Sequence, residues 1–134
     1  MSKSTQIIGA RLKRDDARGK TTGETKFLTD IKVDNMLHAA PVFSQVAYGK
    51  LLGIDTRVAE NDPDYIAFFS AKDIPGENQV GVILEDQPLM AADVVRYVGD
   101  SVGILIAETA EAAQRLARLV SVNIDPFYPV FSID

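Results

Sequence analysis

The sequence has no cysteine, which excludes disulfides, thiolate metal sites and cysteine nucleophiles. That absence accords with a reducing cytosol. Histidine occurs once, at His38, so a metal centre built on it would need three or four converging ligands. The carboxylates on offer show no recognisable ligand spacing. No apolar run approaches the ~20 residues that a membrane helix needs. The first thirty residues lack the apolar core of a signal peptide. These absences set the expectation of a soluble cytoplasmic protein with no membrane partner. No internal repeat, heptad seam or low-complexity tract is present.

What remains is enough for one ordinary domain. A chain of 134 residues can bury roughly two-thirds of its unfolded surface. With 46% hydrophobic and 25% charged residues, the composition is too apolar for a disordered chain. The net charge of −5 is unevenly spread: residues 1–26 hold seven Lys/Arg against three acids, and the remainder holds seven against sixteen. A basic arm on an acidic body raises nucleic-acid binding as a possibility. However, the first aromatic is Phe27 and the body would repel phosphate, so no nucleic-acid partner is expected and the arm is read as lying along acidic surface.

Residues 1–26 show no sustained period of 2 or 3.6 and contain Gly9, Gly19 and Gly23, which predicts an extended arm with turns. Ordered structure is expected from Phe27, giving an arm over 1–26 and a domain over 27–134. Strands are predicted at 36–42, 47–56, 65–69 and 80–84, with Pro41 placing the end of the first on an edge or a bulge. Asp55-Thr56 caps a short helix over 57–61 that Pro63 ends. Residues 72–76 form a Pro-Gly loop. Val94, Val95, Tyr97 and Val98 form an apolar run that ends in a hairpin-like reversal at Gly99-Asp100-Ser101. Residues 102–107 are nearly all apolar, as in a strand covered on both faces. Thr109 is the expected N-cap of a helix whose Ala110, Ala113, Leu116, Ala117 and Val120 share one face. A last strand runs over 120–125. The fold class is therefore α+β: a mixed sheet covered by one main C-terminal helix plus a short helix.

The candidate reacting groups are weak. His38 lies between Leu37 and Ala39 in an apolar strand, where a structural, hydrogen-bonded role is the simpler reading. The pairs Asp15-Asp16 and Glu85-Asp86 are adjacent in sequence, whereas glycosidase chemistry needs two carboxylates facing each other across a substrate, about 5–10 Å apart. Gly99-Asp100-Ser101-Val102-Gly103 is glycine-rich, but it lacks a Lys-Ser/Thr pair and enters a strand where a phosphate loop would enter a helix. It reads as a structural turn, or as a loop approaching another domain. A dyad of Ser44 or Ser101 with His38 is the one hydrolytic combination available. No catalytic, cofactor-binding or metal-binding residue is assigned. The segment 126–134 carries Phe127, Tyr128, Val130, Phe131 and Ile133, more apolar surface than a free tail usually has. It either packs back or marks a point where the native chain continues to a partner domain; continuation is the expectation.

Several segments, taken in order, resemble the molybdenum hydroxylases: the xanthine dehydrogenase, aldehyde oxidoreductase and carbon monoxide dehydrogenase group. Arg14-Asp15-Asp16-Ala17 with Lys20-Thr21-Thr22-Gly23 is similar to the opening of the large subunit. Phe27-Leu28-Thr29-Asp30-Ile31, Met36-Leu37-His38-Ala39, Ile54-Asp55-Thr56 and Ala71-Lys72-Asp73-Ile74-Pro75-Gly76 look like further landmarks. Val94 to Gly99, the strand after it and the Thr109 helix complete the pattern. Asp100 stands where many members have Gln, and Ser44-Gln45-Val46 is a loose match to the usual Ser-Pro-His, which leaves the substrate subclass open.

The resemblance implies the amino-terminal α/β hammerhead domain. The molybdopterin-binding domain would follow in the same native chain, and 2Fe-2S and FAD would sit on other subunits or domains. It also implies oxidation of a purine, N-heterocycle or aldehyde with water-derived oxygen, and no activity or cofactor in this portion alone. The alternative is an autonomous, non-catalytic binding module.

Overall fold

The computed structural model describes Gly9 and residues 13–133. Its contacts divide the chain into two compact units, 1–35 and 36–134. In the first, Ala17–Thr22 form a short helix, α1, closed by Gly23 in the left-handed conformation, and Leu28–Asp30 form a 3-10 turn. The stretch expected to be extended therefore contains a helical turn, held by ion pairs from Asp16 to Arg14 at 2.5 Å and to Lys20 at 2.6 Å.

Among the described residues the second unit contains six strands: β1 (His38–Phe43), β2 (Gly49–Asp55), β3 (Tyr65–Ser70), β4 (Val94–Val95), β5 (Ser101–Ala107) and β6 (Ser121–Pro126). Between them lie α2 (Arg57–Glu60), a 3-10 turn at Ala71–Asp73 and α3 (Ala110–Ala117). The expected α+β class is the one found, but the single mixed sheet is not. Every ladder is antiparallel and the strands form two sheets, ordered β1-β5-β3 and β4-β2-β6.

Two further expectations are corrected. Residues 80–84 are not a strand, because their aliphatic side chains have no cross-strand partners and project from a loop. The turn at 99–101 does not close a hairpin: β4 pairs with β2 and β5 with β1 and β3, so the turn carries the chain from one sheet to the other.

The remaining elements follow local chemistry. β1 is an edge strand, where Pro41 costs no ladder hydrogen bond, and a bulge follows between Val42 and Phe43. α2 starts at Arg57, whose N–H donates to Asp55 Oδ1 at 3.1 Å. α3 starts at Thr109, whose Oγ1 accepts from Ala112 N at 3.1 Å, with Glu111 in the first turn beside the positive end of the helix dipole. Its buried face is Ala112, Ala113 and Leu116. These residues join Val102, Leu105 and Ala107 of β5 and Ala40 and Val42 of β1 in one core. β5 is more deeply covered on one face than the other, since Ile104 and Ile106 are only half-buried. Gly103 is needed there because Phe68 lies against it: a Cβ at that position would stand 2.2 Å from Phe68 Cζ.

Arg115 ties the solvent side of α3 to the loop before β3. Its guanidinium spans Asp62 at 2.5 and 3.1 Å and Asp64 at 3.1 Å, and the Asp62 carboxyl is held below the usual range first by that guanidinium.

Candidate functional site

The candidate groups lie apart. His38 opens β1 opposite Ala107, while Phe43, at the far end of the ladder, faces Ser101. Five residues of strand correspond to about 17 Å, so His38 cannot serve Ser44 or Ser101 as a base. No hydrogen bond to the His38 side chain is found among the described residues, so the expected hydrogen-bonded role is not seen there. Ser44 is fully buried, and its Oγ donates to Val46 O at 2.8 Å and accepts from Val46 N at 3.0 Å. That hydroxyl shapes a turn and is not presented as a nucleophile.

The two acidic pairs also fail as acid–base machinery. Lys20 and then Arg14 hold the Asp16 carboxyl below its ordinary value, which keeps it ionised. Asp15 is exposed, as are Glu85 and Asp86 on the 80–90 loop. None of Asp15, Asp16, Glu85 and Asp86 lines either of the two clefts that flank the sheets.

The glycine-rich turn is the best-built of the predicted features. Gly99 takes φ +95, a left-handed conformation that favours glycine. Its N–H donates to Ser44 O at 2.8 Å, and Ser44 N donates back to Asp100 O at 2.8 Å. Asp100 is only 6% exposed, and its Oδ2 accepts from Arg96 N at 2.9 Å. The N–H of Asp100 is turned to Tyr97 O at 3.2 Å. With these donors committed internally, the loop cannot cradle a phosphate. It works as a clasp between the end of β1 and the start of β5.

Two open clefts of about 610 and 580 Å³ flank the sheets. The first runs between β1 and β6, walled by Val42, Val46, Val122 and Ile124 with Arg118 at its rim. The second lies between β2 and β3, walled by Leu51, Ile54 and Phe68 with Lys72 and Asp93 nearby. None of His38, Ser44 or Ser101 lines either cleft. Among the described residues no group of three or more His, Cys, Asp or Glu could hold a metal ion. No buried side-chain nitrogen or oxygen among them lacks a partner.

The second unit also exposes apolar side chains. Val82 is 98% and Ile83 93% exposed, and beyond Phe127 the side chains of Tyr128, Val130 and Phe131 also face solvent. Sequence reasoning found the apolar tail and missed the tip at residues 82–84, because a run of aliphatics reads as a strand. Asn78 gave the available signal. Its amide makes a pair of bonds with the Met90 backbone, at 2.7 and 2.9 Å, and so closes the intervening residues into a loop. No helix among the described residues is long and apolar enough to cross a membrane.

Comparison with known proteins bears on the same residues. The model of the "aldehyde oxidase and xanthine dehydrogenase, a/b hammerhead domain" family matches residues 22–126. Xanthine dehydrogenase 1 of Arabidopsis thaliana is 40% identical over 118 residues, 87% of this chain and 9% of that protein. A probable xanthine dehydrogenase subunit of Bacillus subtilis is 38% identical over 110 residues, 82% of this chain and 15% of that protein. The crystal structure of the aldehyde oxidoreductase from Desulfovibrio desulfuricans superposes with a TM-score of 0.87 at 25% identity, covering 94% of this chain and 15% of that one. This chain thus spans well under a fifth of the length of these relatives. It belongs to the aldehyde oxidase and xanthine dehydrogenase a/b hammerhead domain family, within the molybdenum hydroxylases.

Proposed function

We propose that this chain is the structural hammerhead domain, over 27–134 with its basic arm before it, of a cytoplasmic molybdenum-dependent oxidoreductase. The whole enzyme oxidises a purine, another N-heterocycle or an aldehyde carbon with oxygen derived from water. Molybdopterin belongs to a further domain of the same native chain, and the 2Fe-2S and FAD groups to other domains or subunits. When bound there, the molybdenum group supplies the oxidising centre. This chain contributes the packed sheets and the clasped turn that support that domain, and supplies no catalytic, cofactor-binding or metal residue. Neither nucleic acid nor membrane is a partner.

The observation that carries the reading is a family match over residues 22–126 that covers only a small part of each relative, beside buried side-chain polar atoms that all have partners among the described residues. Ser44 and Asp100 spend their side-chain bonds on the backbone of their own turns. The test is to read the native coding region past Asp134 and its neighbours. A molybdopterin-binding polypeptide encoded in the same frame or beside it supports the proposal. Its absence, with the chain stable and monomeric at its own length, would favour the autonomous binding module.

A further inference from the structure

Residues 82–84 form an aliphatic tip with no packing role of its own. Val82, Ile83 and Leu84 are 98%, 93% and 69% exposed, yet the loop that carries them is closed by specific bonds. Asn78 grips the Met90 backbone with both ends of its amide. Val80 N donates to Gln87 O at 2.9 Å across the neck. Inside the neck the chain is wound so tightly that a Cβ on Gly81 would stand 1.7 Å from Leu84 O. Three neighbouring aliphatic side chains held outward by a closed loop lose little conformational freedom when something covers them. Leaving them in water is correspondingly unfavourable.

We propose that this tip is a plug that seats in an apolar pocket on the rest of the enzyme's polypeptide, and that the rim of that pocket is basic. Two observations select this occupant. The relatives carry most of their length outside the region this chain matches, so most of the surface available to cover the tip lies there. Glu85 and Asp86 follow the tip directly, and neither makes an ion pair among the described residues, so the complementary rim carries Lys or Arg. The inference rests on the proposed function above and adds to it the contact through which this domain is held.

Because these 134 residues hold no cysteine, a thiol introduced among them is the one thiol of its peptide, and peptide mass spectrometry separates it from thiols elsewhere in the whole enzyme. Val82→Cys and, as a reference on α2, Val58→Cys place single thiols at two sites that are both exposed in the isolated chain, at 98% and 62%. Maleimide labelling of each is followed by peptide mass spectrometry. In the assembled enzyme the thiol at 82 is expected to label at least tenfold more slowly than the thiol at 58, and in the isolated chain at a comparable rate. The double change Glu85→Lys with Asp86→Lys is expected to recover most of the lost rate. Equal rates at 82 and 58 in an enzyme that keeps its molybdenum and activity would overturn the plug and leave the proposed function standing. Equal protection of the thiol at 82 in the isolated chain would assign the tip to a second copy and overturn the chosen occupant. Protection unaltered by the charge reversal would overturn the basic rim. A native coding region with no molybdopterin-binding polypeptide in the same frame or beside it would overturn both proposals.

Discussion

Gly103→Ala is the sharpest test of how the sheet under α3 is packed. The added methyl would meet Phe68 Cζ at 2.2 Å and Phe69 O at 2.8 Å, both inside contact distance. The Phe68 ring can swing aside, but the Phe69 carbonyl belongs to β3, which is bonded to β5 through this register. Overfilling of this kind costs about 1–3 kcal/mol. Alanine's lower backbone entropy in a strand returns roughly 0.5–1 kcal/mol. With the Phe69 carbonyl fixed by the ladder the cost lies in the upper part of that range, about 2–3 kcal/mol, so the net expectation is a loss of about 1–2.5 kcal/mol. For 134 residues the unfolding entropy is about 280 cal/mol/K, so each kcal/mol moves Tm by about 3–4 °C. The midpoint of circular dichroism melts of the 134-residue chain is therefore expected to fall by roughly 4–9 °C. Phe68→Leu removes the ring atoms that clash, so the double variant should lose less than the sum of the two single losses. An unchanged or raised Tm for Gly103→Ala, or strict additivity with Phe68→Leu, would refute the packing argument.

Leu116→Ala empties a fully buried site on α3 and is expected to cost about 2–5 kcal/mol by urea unfolding; a loss below ~1 kcal/mol would mean that α3 is not part of the core. Asp100→Ala removes the acceptor for Arg96 N in the clasped turn and should cost about 1–3 kcal/mol, with Asp100→Asn costing less because its amide oxygen can still accept. Acid stability follows from carboxyls whose folded pKa values lie below the ordinary value of 3.8: Asp55, lowered to about 2 chiefly by its hydrogen bond to Arg57, Asp62, lowered chiefly by Arg115, Asp16, chiefly by Lys20, and Asp73, chiefly by the Ser70 N–H. Lowered folded values add stability that is present above the unfolded pKa and is lost as pH falls through the folded one. Urea midpoints should therefore decline below about pH 4, and Arg115→Met should flatten the Asp62 part of that decline. An Arg115→Met titration curve parallel to that of the unaltered chain would contradict the assignment.

The C-terminal half of the fold was legible because its signals are local. Thr109 caps its helix, the apolar spacing of α3 marks its buried face, and Pro41 marks an edge strand. Ala112 was missed from the buried face because α3 packs against both β1 and β5, widening the stripe beyond strict i, i+3 spacing. The two-sheet arrangement was not legible: whether Val94 and Val95 pair with β5 or with β2 depends on contacts far apart in sequence, and a turn at Gly99 serves either. α1 was hidden because Asp16, its N-cap, makes no side-chain capping bond and is held by ion pairs instead. For the candidate site, residue types alone left Ser44 and Ser101 open as partners of His38. Only the register of β1 against β5 put His38 and Ser101 at opposite ends of one ladder. The role of Asp100 as an internal acceptor likewise needed the three-dimensional turn.

The central claim is that these residues form a support and no reaction centre. Its most direct test is the molybdenum content of the 134-residue chain, purified by itself from a host that makes molybdopterin and measured by mass spectrometry per mole of chain. The expected result is a content indistinguishable from that of a molybdenum-free control protein. One molybdenum per chain, retained through gel filtration, would contradict the account.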